Sequence, residues 1–228
     1  MRASHAPASA PLVVGIGGTL RPGSRTEQVL RAALTAVERR GARTVLVAGA
    51  ALDLPMYAPP AGERSAAART LVDRVAQADG VIVASPAYHG GVSGLVKNAL
   101  DHVEDLRDAS RPYLDGRAVG CIACAGGWQA AAATLTGLRS IVHALRGWPT
   151  PLGVALNTSD PVFGADGALV DATALAQLEI VADQVVSFAR RHAGAGARRH
   201  DDRLPLIRRA RPLVRTHPSH ASSAKEPT

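Results

Sequence analysis

Two hydrophobic patterns alternate along the chain. Short runs rich in valine, isoleucine and leucine occur at Leu12–Gly17, Arg43–Ala48, Gly80–Ser85, Ala118–Cys124 and Pro151–Leu156. Runs of this length, apolar at nearly every position, predict strands buried on both faces. Between them the apolar residues recur at helical spacing. Over Ser24–Gly41, Val29, Leu30, Ala33, Leu34 and Val37 share one side and Gly41 supplies a stop. Over Glu63–Ala78, Ala67, Thr70, Leu71, Val75 and Ala78 do the same. Val92–Leu106, the alanine-rich Gly127–Arg146 and Thr173–Arg191 complete five helices, and Pro86–Gly91 reads as a loop.

Five strand–helix alternations predict an α/β three-layer sandwich, a parallel sheet with helices on both faces. Right-handed crossovers leave few topologies. This length favours a flavodoxin-like five-stranded sheet in the order 2-1-3-4-5 over the six-stranded dinucleotide fold. Ligands on such sheets bind beyond the carboxyl ends of the strands, beside the switch point between strands one and three. The loops after Gly17, Ser85 and Cys124 are therefore the ones that should carry function.

Composition sharpens this picture in three places. Aromatic residues are only 3% of the 228, so the core must be built from small and aliphatic side chains that suit close helix–sheet packing. The net charge of +7 is concentrated at one end. From Arg190 to Thr228 there are nine arginines and one lysine against two aspartates and one glutamate, so the rest of the chain is neutral. Residues 1–10 then read as a disordered N-terminus, 11–193 as the domain and 194–228 as a basic, solvated tail. A nucleic-acid or acidic partner would have to act through that tail alone. No apolar run reaches the length of a membrane span or a signal-peptide core, which predicts a cytoplasmic protein with no membrane partner. Finally, Cys121 and Cys124 lie three apart on a strand, so they should face opposite sides as separate core thiols rather than share a disulfide or metal. No metal-ligand spacing occurs elsewhere.

The chemistry concentrates after strand one. Gly15-Ile16-Gly17-Gly18-Thr19-Leu20 lacks the third glycine of a dinucleotide fingerprint. Gly18 and Gly23 have P-loop spacing, but Ser24 stands where the lysine must be, which argues against NTP hydrolysis. What remains is Thr19, Arg21, Ser24, Arg25 and Thr26 entering a helix. Hydroxyls, guanidinium groups and a helix N-terminus suit one terminal phosphate. The competing reading is a simple helix cap by Ser24 or Thr26 with solvated arginines.

Three motifs in order resemble the NAD(P)H-dependent FMN reductase family, over about Leu12 to Val186. Gly18-Thr-Leu-Arg-Pro-Gly-Ser-Arg-Thr26 is similar to its phosphate loop. Ser85-Pro-Ala-Tyr-His-Gly90, with Gly94-Leu-Val-Lys-Asn-Ala-Leu-Asp101, is similar to its isoalloxazine loop and following helix, and Asp53-Leu-Pro-Met-Tyr57 to its loop after strand two. The resemblance implies that Thr19, Arg21, Ser24, Arg25 and Thr26 bind the FMN phosphate. It implies that Pro86, Ala87, Tyr88, His89 and Gly90 line the isoalloxazine, and that Ala125, Gly126 and Gly127 pass near its pyrimidine edge. Lys97, Asn98 and Asp101 would be structural, or lie at a subunit interface of a homodimer or homotetramer. Ala87 and His89 depart from the glutamate and asparagine of many quinone- and chromate-reducing relatives. Tyr88 would sit at the rim, and Trp128 would either cover the flavin or pack under its loop.

The implied activity is an NAD(P)H:FMN oxidoreductase, with hydride passing from NADPH or NADH to flavin N5. Electrons would go on to free flavin and a partner monooxygenase, or to a small acceptor such as a quinone. The cofactor carries the reaction, so no catalytic side chain is implied. The alternative is a non-enzymatic flavodoxin-like electron carrier or a flavin-binding regulator. True flavodoxins tend to be acidic, whereas this domain is neutral.

Overall fold

A computed structural model describes residues 10–58 and 63–196. The expectations for residues 1–9 and for the segment beyond 196 lie outside the described residues. In chain order the elements are β1 (Leu12–Gly17), α1 (Arg25–Arg39), β2 (Arg43–Val47), α2 (Ala66–Gln77), β3 (Gly80–Tyr88), β4 (Gly91–Val92), α3 (Gly94–Asp101), β5 (Ala118–Ala125), α4 (Trp128–Ala144), β6 (Trp148–Pro149), β7 (Val154–Asn157) and α5 (Ala172–Gly196). Short 3-10 turns follow β2 at Gly49–Leu52 and α3 at His102–Leu106.

The strands pair in parallel as β2-β1-β3-β5, and β6 and β7 together occupy the far edge. Counted by position across the sheet, this is the expected 2-1-3-4-5 order. Two details differ from the sequence reading. The fifth strand is interrupted: β6 pairs Ala118 and Val119, β7 pairs Ile122 to Ala125, and the chain leaves the ladder between them. Pro149 and Pro151 have no N–H to give a ladder. The polar groups of the break are met locally, where Thr150 Oγ1 donates to Leu152 O at 2.7 Å and Leu152 N donates to Gln184 Oε1 at 3.2 Å. The second difference is that β3 runs on through Pro86 to Tyr88 and turns back as β4, an antiparallel addition where a loop was expected.

Strand alternation divides the core in two. Leu12, Val14, Ile16, Val81, Val83, Val119 and Cys121 pack on the side of α2, α3 and α4. Val13, Ile82, Ala84, Ile122 and Cys124 pack against α1 and α5. The two cysteines are free, buried and on opposite faces, as their spacing requires. On the α1/α5 face the strands carry glycine where those helices approach. A Cβ on Gly80 would lie 2.6 Å from Val185 Cγ1, and one on Gly120 would lie 2.5 Å from Val181 Cγ1. This close approach is how a core with so few aromatic residues fills its volume.

Candidate functional site

The carboxyl ends of β1, β3, β5 and β7 converge on one edge of the sheet, and each ends in a short loop. After β1 the chain passes through Gly17 and Gly18 at φ +151° and +104°, and Gly18 N donates to Ala84 O of β3 at 3.2 Å. The loop then folds on itself. Thr19 Oγ1 accepts from Arg21 N at 3.2 Å, and Gly23 takes a positive φ of 65°. Ser24 caps α1, its Oγ accepting from Glu27 N, a contact of about 1 kcal/mol. The cap and the phosphate readings of this loop are compatible. The first-turn N–H groups of Arg25 and Thr26 have no acceptor within the helix, and they leave its positive end facing the loop.

The two arginines of the loop differ. Arg21 is exposed, and its guanidinium has no partner among the described residues. Arg25 reaches across the edge instead. Its Nη1 donates to Thr158 O at 2.6 Å, and its guanidinium lies 5.5 Å from the centre of the Phe163 ring. Thr158 in turn donates to Ala125 O from both its N and its Oγ1, at 2.6 and 3.0 Å, and Ser159 Oγ donates to Gly126 O at 3.0 Å. Arg25, Thr158 and Ser159 therefore lock the loops after β1, β5 and β7 together. Thr26 is buried near Cys124, whose thiol is pushed up to about 12 by burial, with the Thr26 hydroxyl opposing. Cys124 stays a neutral core thiol at physiological pH.

After β3 the expected loop is a two-residue hairpin. Tyr88 pairs with Gly91, and His89 and Gly90 between them have φ of +53° and +78°. Positive φ at both central positions defines a type I′ turn. The hairpin is held from below by Ser85, fully buried, whose Oγ donates to Pro86 O at 2.8 Å and accepts from Ser93 N at 3.0 Å. Pro86 is buried and Ala87 half-buried, while Tyr88, His89 and Gly90 are exposed. The His89 imidazole makes no hydrogen bond among the described residues, so its fixed contribution is the turn backbone. Ala125 is buried at the end of β5, and Gly126 and Gly127 lead into α4 with open space beside Gly127. Trp128 is 58% exposed, which removes the reading that it packs under the loop.

Asn98 and His102 hold the loop after β2. Asn98 Oδ1 accepts from Tyr57 N at 2.8 Å, its Nδ2 donates to Leu54 O and Pro55 O, and His102 Nε2 lies 3.0 Å from Pro55 O. Lys97 and Asp101 form an exposed pair one turn apart. A groove of about 470 Å³ lies on this flank, lined by Tyr57, Leu100, Asp101, Glu104, Asp105 and Arg107 among others. None of its lining residues belongs to the loops after β1, β3 or β5. Its carboxylates are largely spoken for, by Lys97, Arg107 and Arg64.

Three structural features of this edge are not among the residues that the motifs single out. Glu27, buried in the first turn of α1, was legible as the S-x-x-E pattern of a capping box with Ser24. Thr158 and Ser159 were legible only from the rule that ligand loops follow strand carboxyl ends. Phe163 carries no local signal.

Hydroxyls, an unengaged guanidinium and a helix N-terminus stand on one side of the edge, and an open, glycine-flanked surface rimmed by Tyr88 and Trp128 on the other. This arrangement fits a nucleotide with one phosphate and a flat ring, and with the strand order it defines a flavodoxin-like α/β protein. Residues 11–160 match the NADPH-dependent FMN reductase family, and the chain belongs to that family. It is 33% identical over 139 residues to an FMN-dependent NADPH-azoreductase of Staphylococcus aureus, an alignment covering 60% of this chain and 70% of that protein. Among solved structures it resembles the flavoenzyme NAD(P)H:(acceptor) oxidoreductase FerB from Paracoccus denitrificans, at TM-score 0.65 and 22% identity over 80% of this chain and 99% of that one. It also resembles an NADH:FMN oxidoreductase, EmoB, at TM-score 0.59 and 24% identity over 80% and 90% of the two chains. At these identities the structural likenesses speak for the fold. Among the described residues no helix is long and apolar enough to cross a membrane.

Proposed function

We propose that this NAD(P)H:FMN oxidoreductase binds FMN across the edge formed by β1, β3 and β5 and passes electrons from a nicotinamide to a diffusible acceptor, either free flavin serving a monooxygenase or a small quinone- or azo-type molecule. The observation that carries the reading is the family match spanning the three loops that meet at one sheet edge. Thr19, Arg21, Ser24 and the N–H groups of Arg25 and Thr26 hold the phosphate. The Pro86–Gly90 hairpin and Ala125–Gly127 take the ring, mainly through backbone groups. Bound FMN supplies the hydride-accepting chemistry, and the protein supplies orientation and a fixed electrostatic frame. The protein is read as cytoplasmic and as a homodimer or homotetramer, the assembly that the resemblance to its family implies.

The test is the visible spectrum of purified protein with FMN, before and after anaerobic NADPH and NADH. Binding followed by bleaching is the expected result. Binding without bleaching turns the reading toward a carrier or regulator, and no binding ends it. Within this reading, Arg21→Ala removes the unengaged guanidinium of the phosphate loop. FMN affinity is expected to fall about tenfold while riboflavin, which lacks the phosphate, binds as before. Fluorescence titration with both flavins checks this, and unchanged FMN affinity would show that Arg21 does not meet the phosphate.

A further inference from the structure

The phosphate loop already contains an anion. Glu27 is only 5% exposed, and its carboxylate is folded back along the loop from the first turn of α1. Oε2 accepts from Gly23 N at 3.1 Å, and Oε1 accepts from Arg31 Nε and Nη2 at 2.9 and 2.7 Å. Its Cβ also lies against the other end of the loop, 3.3 Å from where a Cβ on Gly18 would stand. The Glu27 side chain therefore holds the loop at Gly23 and occupies the space beside Gly18, and its charge sits at the positive end of α1.

The geometry points to Glu27 as a built-in competitor for the flavin phosphate, one that keeps FMN exchangeable rather than permanently bound. The inference rests on the flavin reading above and extends it to how tightly the cofactor is held. A helix N-terminus offers roughly half a unit of positive charge, and the Glu27 carboxylate already answers it. A phosphate arriving at the same loop meets one N–H donor already taken and a like charge nearby. Arg31 offsets that charge only in part, because its side chain is 61% exposed and water screens it, whereas that of Glu27 is 7% exposed. Arg25 cannot make up the difference without leaving Thr158 O and Phe163. Arg21 is left as the unengaged guanidinium of the loop. A loop so balanced suits a reductase whose flavin comes and goes as a substrate, and it favours delivery of reduced flavin to a separate acceptor.

A rival role for Glu27 predicts the opposite sign. If its carboxylate served only to stiffen the loop into its binding shape, removing the charge would weaken FMN binding. Glu27→Gln separates the two, since the amide oxygen can still accept from Gly23 N while the charge, and with it the Arg31 pairing, is gone. Fluorescence titration of wild type and variant with FMN and riboflavin is the experiment, with a thermal melt of each flavin-free protein alongside. The competitor role predicts FMN affinity raised about fivefold, with riboflavin changed by less than about twofold. Arg31→Ala, which leaves Glu27 unneutralised, should move FMN affinity the other way by about threefold. Equal or weaker FMN binding by Glu27→Gln overturns the proposal, as does an equal change for both flavins. Should Glu27→Gln not fold, unchanged or tighter FMN binding by Arg31→Ala overturns it. A wild-type protein that binds neither flavin is a different failure. It ends the flavin reading itself and the competitor role with it.

Discussion

Gly17→Ala is expected to remove FMN binding and to lower stability by about 3 kcal/mol or more. An added Cβ would stand 1.9 Å from Ala84 O, 2.8 Å from its carbonyl carbon and 2.9 Å from its nitrogen. All three are backbone atoms of β3, so no rotamer change can relieve the clash. The residue also sits at φ +151°, where side chains other than glycine's are disfavoured. Relief requires β1 and β3 to separate at Gly17–Ala84, the last pair of their register, and to give up the Gly18 N to Ala84 O bond. That separation lies between the proposed phosphate loop and the ring hairpin, so packing and site fail together. Gly23→Ala is the control. It shares the positive φ, at 65°, but a Cβ there meets nothing within 4 Å, so it should cost only about 1 kcal/mol. Urea unfolding and flavin titration of both variants measure the contrast. A Gly17→Ala protein that is stable and binds FMN normally would show that this strand end is plastic.

Much of this edge could be read from residue order alone, and the parts that could not have physical reasons. LVVGIG at β1 and GVIVAS in β3 were legible because strands covered on both faces need apolar residues at nearly every position. The loop after β1 stood out because its hydroxyls and arginines enter a helix start, where they suit a phosphate as well as a helix cap. The His89–Gly90 turn was not, since a type I′ hairpin announces itself by Asn-Gly or Asp-Gly and histidine at positive φ is an uncommon choice. Pro86 also reads as a strand breaker, yet β3 tolerates it as the last residue in register with β5, past the end of β1. The break in the fifth strand depends on Gln184 of α5 reaching Leu152 N, a contact without local signature. The same holds for Arg25, whose partner Thr158 is 133 residues away. Sequence placed Arg25 beside a phosphate, and the fold gives its guanidinium to a neighbouring loop.

Arg117→Ala should separate what holds the fold from what holds the site. Arg117 is fully buried at the start of β5, the opposite end of that strand from the flavin edge. Its Nε donates to Ala78 O at 2.8 Å, Nη2 to Ala76 O at 2.8 Å, and Nη1 to Tyr113 O and Asp115 O at 3.1 and 3.4 Å. One guanidinium thus ties the end of α2 to the turn that enters β5. Burial, with the Arg111 charge nearby, lowers its pKa to about 10, so it remains a cation at neutral pH. That charge is sustained in the interior by the four carbonyls it serves. Truncation to alanine leaves those carbonyls short of donors around a void, a loss of about 3–5 kcal/mol. For a domain of this size that corresponds to a melting temperature lowered by roughly 10 °C. Lysine should recover little, because a single ammonium group cannot reproduce the guanidinium fork across carbonyls of two elements. Below its melting temperature the Arg117→Ala protein should bind FMN within about twofold of wild type, since its losses lie at the far end of the sheet. Calorimetry and flavin titration on the same sample decide this. A normal melting temperature would refute the anchoring role, and a parallel loss of flavin affinity would show that the two ends of β5 are coupled.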